Sequence, residues 1–138
     1  VSARYAPAAA IAMGLFVLHL YWNVLDWPVT SGPLLDLRTF AMIGQAEWVM
    51  VDLFGVAVAG GMFVVPLYAF LTTTVPKSET ARTVAANNIV NSGAMVLSAL
   101  ILTGLVLIGV SVEGTLMLVA LMSPIAAWIA WKLHLACD

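Results

Sequence analysis

Charged side chains are scarce in this chain of 138 residues. Asp, Glu, Lys and Arg make up 9% of it, whereas 63% of the residues are hydrophobic. A soluble domain carries about a quarter charged residues, and a chain this apolar would expose large hydrophobic patches to water. The composition therefore favours a lipid bilayer as the solvent. With a net charge of −2 and no basic patch, we expect no nucleic-acid partner.

Cysteine and the usual catalytic motifs are also scarce. Cys137 is the single cysteine, so it can form neither an internal disulfide nor a shared thiolate metal site. His19 and His134 lack the paired spacing of metal ligands. Paired carboxylates, a glycine-rich phosphate loop and a nucleophile elbow are missing as well. We therefore predict no enzyme within these residues, no metal and no cofactor.

What the chain does contain is four long uncharged runs. They span about 21, 24, 30 and 18 residues between successive charged positions, and a helix needs roughly 20 residues to cross the hydrocarbon. Helices are expected because unpaired backbone groups are too costly in lipid, and no alternating barrel pattern is present. The prediction is an all-α membrane protein with four transmembrane helices, near residues 6–25, 53–73, 83–110 and 115–131.

The first connection, between residues 26 and 48, is the longest one. Its prolines and glycine predict turns at Trp27-Pro28 and at Ser31-Gly32-Pro33. Residues 34–45 are expected to form a short helix along the surface. The other two connections, at residues 74–80 and near residues 111–114, are predicted to be tight turns.

Basic residues predict the orientation of the bundle. With four crossings, Arg4, Lys77, Arg82 and Lys132 fall on one side, and Arg38 falls on the other. Cytoplasmic loops carry the excess of Lys and Arg. Both ends are therefore expected in the cytoplasm, with Lys77 and Arg82 in a cytoplasmic loop. Since the chain starts at Val1 without a recognisable signal peptide, we expect it to be part of a longer protein.

Three asparagines open the third predicted span. At 100° per residue, Asn87 and Asn91 share a stripe with Ala94 and Ser98, and Asn88 lies at its edge. The opposite face is aliphatic and is expected to meet lipid. An amide in hydrocarbon needs partners, so these side chains either join helices by hydrogen bonds or contact a polar headgroup or gate. They are the leading candidates for substrate binding or gating.

The preceding span carries the signs of a kink. Pro66 removes a backbone hydrogen bond inside the helix, and Gly60-Gly61 would soften the same region. Ala57 and Gly61 form a small-xxx-small pair, which allows helices to approach closely. The segment is thus either a helix that bends during transport or one shaped for close contact.

Asp52 and His19 are the ionisable residues within or near the spans that need explanation. Asp52 is predicted to share an arc with Gly55, Ala59 and Pro66, at the outer edge of its helix. It is either a substrate-binding or gating residue, as ionisable groups inside spans are by default, or a hydrated carboxylate that favours a helix N-terminus. His19 is either a structural histidine near the interface or a proton relay.

A family resemblance rests on the central stretch. The segments DLFGVAVAGGMFVVPLYAFLTTTVP and ARTVAANNIVNSGAMV resemble the lysophospholipid transporter branch of the major facilitator superfamily. They are especially similar to the transporter portion that is fused to acyltransferase and acyl-carrier-protein ligase domains in bacteria. The block covers roughly a third of the chain. Its matching elements are Asp52-Leu53-Phe54, Gly60-Gly61, Val65-Pro66-Leu67-Tyr68-Ala69, Arg82, Ala85-Ala86-Asn87-Asn88-Ile89 and Asn91.

The resemblance implies that these helices are the last four of twelve. Eight N-terminal helices would then be missing partners, and substrate would bind near the midplane between the two halves. The implied function is to move lysophospholipids, or a similar amphiphile, across the bacterial inner membrane, in contact with membrane lipids. Any acyltransferase or ligase domain would lie in a longer parent chain.

Two other functions are open. One is a complete small exporter of four helices that acts as a dimer, which would need an acidic residue deep in a span; none is expected in the four apolar cores. The other is a membrane anchor or assembly subunit without transport. A haem anchor needs facing histidines, whereas His19 and His134 are expected near opposite faces.

Overall fold

The computed structural model describes residues 4–27 and 32–137, and these form an all-α structure. Four of its helices are long and apolar enough to cross a membrane, and no strand occurs within the two described segments. The predicted fold class is therefore confirmed as all-α with four candidate spans, which is compatible with a multi-pass membrane protein. The helices are α1 (Ala6–Leu25), α2 (Leu37–Ala41), α3 (Gly44–Thr74), α4 (Thr80–Leu107) and α5 (Val112–Cys137).

The helix bounds depart from the charge-delimited runs in three of the four spans. Helix α1 matches its prediction, but α3 begins at Gly44 rather than at residue 53, and α5 continues past Lys132 to Cys137. Charged residues mark where hydrocarbon ends, not where backbone hydrogen bonding ends, so a helix runs through them. Helix α4 covers Thr80–Leu107, shorter at its end than predicted, because Gly109 takes a φ of 94° and turns the chain.

The first connection contains one short helix, as expected, although it is shorter than residues 34–45. Asp36 caps α2 and accepts a hydrogen bond from the Thr39 backbone N–H at 3.4 Å. A hydrogen bond from the Thr39 side chain holds the pKa of Asp36 below its ordinary value. Trp27 stacks on Phe40, with ring centroids 5.8 Å apart, and so ties the end of α1 to α2. The turns predicted at Pro28 and Ser31 involve residues outside the described segments.

Helix α1 is the centre of the bundle and lies between α3 and α5. It runs antiparallel to both: its later residue Phe16 faces Gly55 and its earlier residue Met13 faces Gly60, while Gly14 faces Ser123. Small side chains dominate the buried surface, and they let helix backbones approach closely. The buried hydrophobic residues are Ala6, Ala9, Ala10, Val17, Leu20, Ala46, Ala59, Ala127 and Ala130.

Helix α4 contrasts with α1 because none of its residues is buried. It touches α3 and α5 only sparingly. Aliphatic side chains such as Ile89 and Val90 are more than 70% exposed. That this aliphatic face meets lipid stays a prediction.

One end of the bundle collects three of its chain segments. Pro7 at the start of α1 shares a surface cleft with Trp131 near the end of α5. Leu133 of α5 in turn shares a cavity with Leu71 near the end of α3. The N-terminal end of α1, the α3–α4 loop and the C-terminal end of α5 therefore lie together, as the basic residues predicted. That this end is cytoplasmic stays a prediction.

Candidate functional site

A close approach between α1 and α3 creates the first candidate site. Gly55 is buried, and a Cβ placed on it would lie only 2.5 Å from ring carbons of Phe16. The glycine therefore lets the ring of Phe16 occupy space that a side chain would need. One turn away on each helix, this proximity brings Asp52 of α3 against His19 of α1.

His19, Asn23 and Asp52 form a hydrogen-bonded group, which we name the Asp52 cluster. Nδ1 of His19 lies 2.8 Å from Oδ1 and 2.9 Å from Oδ2 of Asp52. Nδ2 of Asn23 donates to Oδ2 of Asp52 at 2.9 Å and lies 3.1 Å from Nδ1 of His19. These contacts connect α1 with α3, because His19 and Asn23 precede Asp52 by 33 and 29 residues in the sequence.

Burial within the Asp52 cluster is uneven. The side chain of Asp52 is 2% exposed, whereas that of His19 is 47% exposed. The His19 ring also meets Trp48 edge-on, with centroids 5.9 Å apart. An apolar cavity of about 370 Å³ borders His19 and Asp52, and its other lining residues are Ala12, Leu15, Phe16, Trp48 and Val51.

This cluster bears on the alternatives that the sequence left open for Asp52 and His19. Asp52 is not a hydrated carboxylate at the edge of a helix, because α3 begins eight residues earlier at Gly44 and the whole residue is 1% exposed. His19 contacts that carboxylate directly, which is compatible both with a structural histidine and with a proton relay. Of the predicted arc on α3, Asp52, Gly55 and Ala59 are buried, whereas Pro66 is half-buried.

Asn23 was missed as a candidate residue, although a signal was available. His19 and Asn23 are four residues apart, so on a helix they lie one above the other on one face. A face of two hydrogen-bonding side chains within a span needs a partner. Asp52, the acidic residue at the edge of the second predicted span, could supply that partner.

The three asparagines line a second site, which we name the asparagine cavity. Its volume is about 580 Å³, and it lies between α3 and α4 with one contribution from α5. Asn87, Asn88 and Asn91 supply amide groups, and the remaining wall is aromatic and aliphatic apart from one phenol. That wall consists of Phe63, Val64, Leu67, Tyr68, Phe70, Leu71 and Leu133. All three asparagines are exposed, and the expectation that their face meets protein or a water-filled cavity stays a prediction.

In the predicted kink region, Gly60 and Gly61 lie between the two sites, whereas Pro66 lies within the stretch of α3 that lines the asparagine cavity. Helix α3 continues through Pro66, and the kink itself stays a prediction. Open space surrounds Gly61, and Gly60 has a single neighbour, Sδ of Met13 at 3.9 Å. Ala57 is exposed as well. Among the described residues, the small-xxx-small pair therefore makes no close helix contact, and the close approaches occur instead at Gly14 and Gly55.

The remaining candidates belong to the loop end of the bundle. Lys77 and Arg82 are both exposed, one in the α3–α4 loop and the other in the first turn of α4. Within residues 4–27 and 32–137, no group of three or more His, Cys, Asp and Glu side chains is placed to hold a metal ion. Family models, curated proteins and solved structures yield no match to this chain.

Two chemistries are available in this arrangement. The asparagine cavity offers neutral donors and acceptors beside an apolar wall, which suits a ligand with a polar end and an apolar end. The Asp52 cluster offers an acid and a base in direct contact, which suits the binding or transfer of a proton.

Proposed function

We propose that this chain is part of a secondary transporter that moves lysophospholipids, or a similar amphiphile, across the bacterial inner membrane. The observation that supports the proposal is the asparagine cavity, in which three amides face an aromatic and aliphatic wall. The family resemblance of the same stretch, Asp52 to Asn91, points to the same substrate class. In this proposal both chain ends are cytoplasmic.

The two sides of the cavity match the two parts of a lysophospholipid. Amide N–H groups donate to phosphate oxygens, and amide oxygens accept from an ammonium headgroup. Phe63, Leu67 and Leu71 offer apolar surface to a single acyl chain. Ligand pockets commonly measure about 300–1,000 Å³, and the cavity of about 580 Å³ is of that size. The side of the cavity that the described helices leave open would be closed by the missing N-terminal helices.

Uptake of labelled lysophosphatidylethanolamine by proteoliposomes that contain the full-length parent tests the proposal. Replacing Asn87, Asn88 and Asn91 together with leucine removes all three amides. Interhelical hydrogen bonds in membranes contribute about 0.6 kcal/mol each, so losing contacts of that size weakens binding by about 2 kcal/mol, or roughly thirtyfold. The apparent affinity for substrate should fall accordingly.

A matched control uses the same helix and the same replacement. Ser92 and Thr103 are exposed polar residues of α4 that lie outside the cavity wall and away from the asparagine stripe, and their leucine variants should keep normal uptake. Normal uptake by the asparagine variant would contradict the proposed site but not the proposed transport function. A full-length parent that does not transport lysophospholipid would contradict the proposed function.

One observation favours a second candidate, a complete exporter built from two copies of this chain. Such an exporter needs an acidic residue deep in a span, and Asp52 is buried eight residues inside α3. The exposed helix α4 would then meet its counterpart in the other copy. Cross-linking of single cysteines on α4 in native membranes distinguishes the two candidates, because only the dimer gives a product of twice the mass.

A further inference from the structure

We propose that His19 and Asp52, held together by Asn23, form a proton-binding site between α1 and α3. The site lies away from the asparagine cavity and shares no residue with it. The contacts of three side chains define this site whatever the substrate is, so it is independent of the proposed function.

The distances allow two proton arrangements in the Asp52 cluster. When Asp52 is ionised, Nδ1–H of His19 donates to the carboxylate, but the Asn23 amide then has another donor only 3.1 Å away. When Asp52 carries the proton, its hydroxyl donates to the unprotonated Nδ1. The hydroxyl then occupies the single lone pair of Nδ1, while an N–H bond of Asn23 donates to Oδ2, as it does to the carboxylate. Asn23 therefore stabilises the carboxyl in both proton arrangements.

The transfer between these states is balanced. In the charged form, an imidazolium faces a carboxylate, and the pair has no net charge. The proton leaves Nδ1, whose N–H bond electrons become the ring lone pair, and an oxygen lone pair of Asp52 forms the new O–H bond. Imidazole and carboxyl are then both neutral. A proton from water that binds Nε2 of neutral His19 beside ionised Asp52 produces the charged form.

The route to Asp52 passes through His19. The carboxyl side chain is 2% exposed, and the imidazole, at 47%, is the more accessible partner. An unpaired carboxylate in a span is costly, and so is a buried charge that has lost its partner. The proton affinity of Asp52 is therefore expected to depend on His19.

Other titratable groups on α1, α3 and α5 take no part in the hydrogen bonds of the cluster. On α3, Glu47 is exposed; on α1, Tyr21 is half-buried and Asp26, at the cap, is exposed; on α5, Glu113 is half-buried. Hydrogen bonds among the described residues instead link His19, Asn23 and Asp52 to one another.

Infrared difference spectroscopy of the full-length protein in lipid nanodiscs tests the site. During a titration between about pH 4 and about pH 9, which brackets the ordinary His range, the carbonyl stretch of a protonated buried carboxyl should appear and vanish. Asp52→Asn should abolish that signal. His19→Gln should move its midpoint by about one pH unit or more, equivalent to at least a tenfold change in proton affinity. Glu47→Gln, which removes an exposed carboxyl from the same helix, should leave the buried signal unchanged.

A second measurement covers the case in which His19→Gln does not fold. Nuclear magnetic resonance of isotopically labelled histidine follows the His19 ring in the isosteric Asp52→Asn variant, where the midpoint should again change by about one pH unit. A buried carboxyl signal that survives Asp52→Asn would overturn the proposal. The proposal would also be overturned if the titration midpoint of each residue, His19 or Asp52, stayed the same when the other residue is replaced.

Discussion

Replacing Gly55 with alanine tests whether the Asp52 cluster depends on the close approach of α1 and α3. The new methyl group would lie 2.5, 2.5 and 2.6 Å from three ring carbons of Phe16, whereas ordinary contacts begin at 3.4 Å. To restore an ordinary contact distance, the ring of Phe16 and the new methyl group must move apart by about 0.9 Å. Because the ring lies between the two helices, we expect that displacement to separate α1 from α3.

The displacement would also lengthen the contact between His19 and Asp52, which lies one turn away on each helix. Nδ1 of His19 and Oδ1 of Asp52 are 2.8 Å apart, so the same separation lengthens this contact to about 3.7 Å, past the limit of about 3.2 Å for an N–H···O bond. Overfilling a well-packed contact costs about 1–3 kcal/mol, and alanine returns about 0.5–1 kcal/mol through its helix preference. Gly55→Ala should therefore destabilise the bundle by up to about 2.5 kcal/mol in net terms.

Two measurements on the full-length protein follow this change. Unfolding by sodium dodecyl sulfate in mixed micelles gives the loss of stability, and the infrared titration reports the buried carboxyl of Asp52. The control is Gly61→Ala, which has open space around it and should gain about 0.5–1 kcal/mol. Adding Phe16→Ala to Gly55→Ala should restore the carboxyl titration because the obstructing ring is gone. Equal stability of the two alanine variants, with an unchanged carboxyl signal in both, would refute the reasoning.

Two further predictions concern the other glycines. Gly14→Ala should destabilise the contact of α1 with α5 by up to about 2.5 kcal/mol in net terms, because its methyl group would lie 2.5 Å from Cβ of Ser123; the same detergent unfolding measures this, and Ser123→Gly should reverse it. Replacing Gly60 and Gly61 together with alanine creates no clash and stiffens α3. Stability should rise while lysophospholipid uptake falls; unchanged uptake would show that α3 does not bend there.

Periodicity was enough to predict the faces of single helices. The arc of Asp52, Gly55 and Ala59 is the buried face of α3, and the asparagine face of α4 lines a cavity. In both cases side-chain size and polarity repeat at the helical period, so a sequence reveals which residues face the same way. The fold class follows from the same kind of signal, because four uncharged runs of spanning length leave few other structures possible in lipid.

Contacts between helices could not be predicted in this way. Periodicity shows which face of α1 carries His19, but not the rotation or the register at which α1 meets α3. Those depend on where two backbones can approach, here at Gly55 and at Gly14. Neither glycine lies in a small-xxx-small pair that the sequence singled out, and each faces a larger side chain from another helix. For that reason the pairing of Asp52 with His19 was not predicted.

Helix α3 is the element that both sites share, and its two halves are held differently. Its buried residues, Ala46, Asp52, Gly55 and Ala59, all lie in the first half, where α1 holds the helix through the Asp52 cluster. The second half, which supplies most of the asparagine cavity, has no buried residue. Phe63 at the start of that cavity is eleven residues beyond Asp52, or about 16 Å along the helix. Gly60-Gly61 lies at the junction of the two halves of α3. In the proposed transporter, a movement of α1 against the first half of α3 would therefore be transmitted to the wall of the asparagine cavity through this glycine-containing segment.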